Sequence, residues 1–174
     1  MTEDDEALAR HGAVLADGVV AALPAWVVRS VERLLVAWSG SADPEVVAAA
    51  EQAGLAAQAD VGPRLRILLA ADVDEQRANP LALVREAVRY PTQVLADAGV
   101  PPVRRDALAV EQHPDDLYDL APATFADLDP ALHEPGIEWG AAKAHVHLRR
   151  HRGGEPRPSG GEREPRPSGG ERET

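Results

Sequence analysis

The chain is 174 residues long, enough for one folded unit or one unit with an appendage. It is 44% hydrophobic but only 3% aromatic, so its core must be built mainly from Ala, Val and Leu, and the absence of Cys excludes disulfides, thiolate metal sites and a cysteine nucleophile. Eighteen basic residues against twenty-nine acidic ones give a net charge of −11, which argues against general affinity for nucleic acid or other polyanions.

The acidic start, Thr2-Glu3-Asp4-Asp5-Glu6, has the wrong charge for a secretory signal. The longest largely apolar uncharged stretch, Gly18 to Val28, has eleven residues, whereas a bilayer span needs about 20. A cytoplasmic, non-membrane protein is the expectation. Seventeen Arg against the single Lys143, with abundant Ala, Val, Gly and Pro, is the composition of a GC-rich, bacterial type of genome.

A first helix is predicted from about Asp5 to Leu23, with Leu8, Val14 or Leu15, Val19 and Ala22 at helical spacing and acids crowding its first turn. Pro24 suits the first turn of a second helix running to Trp38. In it, Val27, Val28, Val31, Leu34, Leu35 and Trp38 fall within about 120° on a helical wheel. Trp26 lies outside that stripe, so it either packs beneath the first helix or is an exposed anchor for a partner.

Asp43-Pro44-Glu45 combines a cap, a first-turn Pro and an acid, and starts a third helix to about Ala59. Gly62-Pro63 is expected to break it. Over residues 64–71, Leu65, Ile67 and Leu69 alternate as in a strand, while Val61, Leu65, Leu68 and Asp72 fit a helix. No second apolar run offers a pairing partner, so the segment is read as a fourth helix. Asn79-Pro80 starts a fifth, which Pro91 should end near Tyr90. Thr92–Ala98 forms a sixth, stopped by Gly99. Arg104–Gln112 forms a seventh, residues 113–136 are irregular, and a last helix runs from Pro135 or Gly136 to about Arg152. The expectation is an all-α, small multi-helical domain over residues 1–152, of about seven to eight helices.

Residues 153–174 are expected to form a disordered tail. The unit EPRPSGGER at Glu155–Arg163 repeats unchanged at Glu164–Arg172, with no apolar side chain except Pro.

His113-Pro114-Asp115-Asp116 resembles the zinc-binding signature of LmbE-like deacetylases, over four residues. In that family the motif closes an early strand of a parallel sheet, and a further His ligand lies far downstream. Here it follows a helical segment, so a Pro after a helix end and an Asp at the next cap account for it. With His133 nearby in sequence, His113, Asp115 and Asp116 could form an oxygen-rich divalent site, and a metal-dependent hydrolase or metal-binding protein using His113, Asp115, Asp116 and His133 is the alternative function. Asp115 and Asp119 would share a face if residues 115–120 are helical. His147 and His151, at i,i+4, could both reach one metal ion, whereas His145 lies on another face.

No phosphate-binding loop, dinucleotide fingerprint or nucleophile elbow is present. No catalytic residue, cofactor or favoured metal is therefore assigned. The remaining signal is charge segregation. Eight acids and no Lys or Arg lie between Glu111 and Glu138, and Lys143, Arg149, Arg150 and Arg152 follow directly. Those cations suit a helix carboxyl end, and would dock on an acidic partner or on the chain's own acidic stretch. The expected function is a non-catalytic adaptor or regulatory protein that binds another protein, with Trp26, Trp139, Lys143, Arg149, Arg150 and Arg152 as candidate contacts. Self-association into a homo-oligomer is compatible with an Ala-rich first helix and an offset Trp.

Overall fold

A proline inside a helix leaves one carbonyl without its donor, and that fact governs this fold. The computed structural model describes residues 2–70 and 79–154. Its first helix, α1, runs from Glu3 to Ser39 straight through Pro24. Pro24 cannot donate to the carbonyl four residues back, and that Val20 oxygen instead accepts the side-chain amide of Gln58 at 2.8 Å. The second helix, α2 (Pro44–Ala70), likewise contains Pro63. Helices α3 (Pro80–Arg85) and α4 (Arg89–Asp97) join through a 3-10 turn at Glu86–Val88 into one body. That turn tightens just ahead of Pro91, where the ring would press on the preceding carbonyls. Short α5 (Ala107–Gln112) and long α6 (His133–Gly154) complete the set.

The all-helical expectation therefore holds, and no strand occurs among the described residues. The number of helices is corrected to five helical bodies among the described residues, because Pro24, Pro63 and Pro91 lie inside helices rather than between them. Residues 64–70 are helical, and residue 71 lies outside the described residues. α6 continues to Gly154, two residues past the expected boundary, and the tail beyond it lies outside the described residues as well.

Helix ends follow the local signals. Thr2 and Asp5 form a reciprocal capping box at the start of α1. The backbone N–H and hydroxyl of Thr2 both donate to the Asp5 carboxylate, at 3.0 and 2.9 Å, and hold its pKa below the ordinary aspartate value, with Arg150 adding to the effect. Asp43 accepts from the Glu45 N–H at 2.8 Å at the start of α2, and Asn79 caps α3 ahead of Pro80.

α1 is the central element. α2 runs antiparallel along it, α4 packs against both, and α6 lies antiparallel to its amino-terminal half. Leu15, Val19, Leu23, Val27 and Val31 of α1 are fully buried against Ala57, Val61 and Leu65 of α2, with Val84, Leu95 and Leu128 closing the core. Trp26 is in this core at 5% exposure, so its position off the apolar stripe reflects a second covered side of α1 rather than a free surface. Trp38, expected inside the stripe, is 51% exposed because it stands in the last turn of α1. α1 also carries an eighteen-residue window of mean hydropathy 1.6, long and apolar enough to cross a membrane by length and composition, of which 56% is buried inside the protein.

The Gln58 contact gives a direct test of how Pro24 is accommodated. Gln58→Leu removes the side-chain donor to the Val20 carbonyl in the α1–α2 interface while keeping side-chain bulk. A loss of about 1–3 kcal/mol in urea unfolding is expected. An unchanged midpoint would mean that the Val20 carbonyl needs no partner.

Candidate functional site

Residues 103–117 form an excursion closed at its neck and built around α5. The Val103 N–H donates to the Leu117 carbonyl at 2.9 Å, which draws the two ends together. Arg105, a largely buried side chain, donates to the carbonyls of His113 and Asp116. Asp116, 2% exposed, accepts the Leu120 N–H on one oxygen at 2.7 Å and the Ala121 N–H on the other at 2.8 Å. The buried Tyr118 hydroxyl donates to the Val100 carbonyl at 2.8 Å, and burial raises its pKa. The flanks are thus tied into the core by Val100, Tyr118 and Leu120.

The enclosed helix is differently placed. Asp106 caps α5 by accepting from the Ala109 N–H at 2.7 Å, yet none of its six residues is buried. Leu108 is 62% exposed and Val110 50% exposed, and Val103 and Leu117 at the neck are also exposed. A six-residue helix is too short to persist on its own propensity. It is held by its cap and by the neck, and it presents apolar side chains outward. The sequence located this helix but missed its exposure. The signal was available: Leu108 and Val110 are two residues apart, about 200° around a helix, so one core surface cannot cover both.

The neck also accounts for the His113-Pro114-Asp115-Asp116 motif. His113 is the carboxyl cap of α5, Asp115 is exposed, and both Asp116 oxygens are taken by backbone N–H groups. Residues 115–120 are not helical, and Asp119 takes a left-handed backbone conformation at φ 57°, so Asp115 and Asp119 do not share a helix face. His133 begins α6 and is exposed. No group of three or more His, Asp or Glu side chains that could hold a metal ion occurs among the described residues.

The basic end of α6 folds back on its own chain. Arg149 pairs with Asp4 at 2.6 Å, Arg150 with Asp5 at 3.1 Å, and His145 lies 3.9 Å from Asp4. The acids paired with Arg149 and Arg150 here are those of the first turn of α1. Antiparallel packing sets an acid-rich amino terminus beside a cation-rich carboxyl terminus, and both helix dipoles favour that arrangement. Lys143 sits 5.0 Å over the half-buried Trp139 ring, which packs on Leu8 and Val146 beneath this seam. Arg152 is exposed. The His147 and His151 rings meet edge to face at 4.4 Å.

No protein-family model, curated protein or solved structure matches the chain.

Proposed function

We propose that the chain is a non-catalytic interaction protein of the cytoplasm that docks on another protein through the α5 excursion. The observation that carries this reading is a capped helix with no buried residue, held on a rigid neck, that turns Leu108 and Val110 to solvent. Leu108 and Val110 stand on opposite sides of this short helix, so a partner that encloses α5 covers both, and removing their apolar surface from water favours association. The neck lowers the cost of docking, since the backbone is already ordered before a partner arrives. Arg149 and Arg150 fasten α6 to α1 in this reading and contribute to docking only through that packing.

The double substitution Leu108→Asp and Val110→Asp separates docking from folding. Both positions are exposed, so unfolding free energy should change by no more than about 0.5 kcal/mol per site. Capture of a partner on the immobilised full chain should fall at least tenfold, while the Arg152→Glu chain should capture it as the parent does. Undiminished capture by the doubly substituted chain, or loss confined to Arg152→Glu, would remove the excursion from the interface.

A further inference from the structure

A cleft of about 440 Å³ opens between the carboxyl-terminal half of α1 and the loop over residues 119–127. α1 contributes Trp26, Arg29, Ser30 and Arg33, and the loop contributes Asp119 and Asp127. Positions 26, 29, 30 and 33 recur at helical spacing, so one side of α1 directs an indole, a hydroxyl and two guanidinium groups into the same space. Trp26 and Ser30 are buried at its base, and both arginines are exposed.

Two guanidinium groups and two carboxylates line this cleft, and they differ in what they already bind. Asp127 accepts the backbone N–H groups of Ala123 and Thr124, each at 2.8 Å. Asp119 faces Arg105 at 3.6 Å. Both carboxylates therefore already have donors. Arg29 donates to the Leu128 carbonyl, which orients its guanidinium without neutralising it. Arg33, one helical turn further on, has no ion pair or hydrogen-bond partner among the described residues. Among the described residues neither Arg29 nor Arg33 has a carboxylate within 4.0 Å, so both guanidinium groups border the concavity without an ion-pair partner.

We propose that this cleft binds a small organic anion, its phosphate or carboxylate group held by Arg29 and Arg33. Guanidinium groups match either oxyanion with paired hydrogen bonds, and the volume suits a metabolite-sized ligand. The inference is independent of the docking role given to α5.

Titration of the full chain with inorganic phosphate and, separately, with succinate tests it, reading the indole N–H signal of Trp26 by NMR. The expected result is a saturable shift with at least one of the two, and the stronger one identifies phosphate or carboxylate as the recognised group. Arg33→Gln should weaken binding at least tenfold, and Arg33→Lys should weaken it less. Arg66→Gln, which removes a guanidinium paired with Asp17 elsewhere on the surface, should leave it unchanged. Absence of a saturable shift with both anions, or equal binding by Arg33→Gln and the parent, would overturn the assignment.

Discussion

Replacing Asp116 with alanine is expected to destabilise the protein by about 3–5 kcal/mol, the range for removing one partner of a buried ionic group. Three losses coincide at this position. The N–H groups of Leu120 and Ala121 lose their acceptor in a region with little water access. The Arg105 guanidinium, itself largely buried, loses the carboxylate 4.0 Å away and keeps only carbonyls and the exposed Asp119. The neck of the excursion then loosens, and with it the platform that presents Leu108 and Val110. Asp116→Asn keeps one acceptor oxygen and should lose less. Its neighbour is the internal control: Asp115 is exposed, and Asp115→Ala should shift stability by no more than about 0.5 kcal/mol. Urea unfolding of the three variants reads this directly. A loss below about 1 kcal/mol for Asp116→Ala would mean that the loop finds other acceptors. The contrast also bears on the metal alternative, which assigns the two adjacent acids comparable duties.

The second large effect is expected where α1 and α2 touch most closely. A Cβ added at Gly54 would stand 2.8 Å from the Pro24 Cα and 2.9 Å from its carbonyl oxygen. One added at Gly12 would stand 2.7 Å from the Leu69 carbonyl oxygen. The obstacles are backbone atoms, so neither site is relieved by a side-chain rotation and the helices themselves must separate. Each substitution to alanine should cost about 1–3 kcal/mol in overpacking, less the few tenths by which alanine improves helix propensity. Gly12 and Pro24 are twelve residues apart on α1, about 18 Å along the axis, so the two effects should add to about 2–6 kcal/mol in the double variant. Thermal unfolding of Gly12→Ala, Gly54→Ala and the pair gives the measurement. Stabilisation by either single variant would show that the interface yields and that propensity dominates.

The two glycines and Gln58 show how much of the interface the sequence left implicit. Gly12 reads as a weak point in a helix and Pro24 as a helix start. Only when α2 is laid against α1 do their roles appear: glycine admits the facing backbone, and Gln58 supplies the donor that proline lacks. The same holds for the basic end of α6. Its cations were legible as a docking surface, but their acceptors, Asp4 and Asp5, lie some 145 residues away along the chain. No local pattern reports such a pairing. Trp26, off the apolar stripe, is buried as one of its two readings had it, while Trp38, inside the stripe, is exposed, because a helix wheel locates an apolar stripe and burial depends on what reaches each turn of it.

What the residues alone determined was the class of the fold and the positions of most helix ends. These depend on interactions within a few residues: the Thr2–Asp5 box, Asp43 and Asn79 as caps with Pro at the first helical position, and the apolar spacing of α1 and α2. Tertiary structure decided whether three prolines interrupt their helices, which cations remain unpaired, and which apolar face stays in water. The physical reason is the same in each case. A helix interrupted by proline, a surface cation or an exposed Leu108 is tolerated or not according to the donors, acceptors and apolar area brought by distant segments, and those meet only in the folded chain.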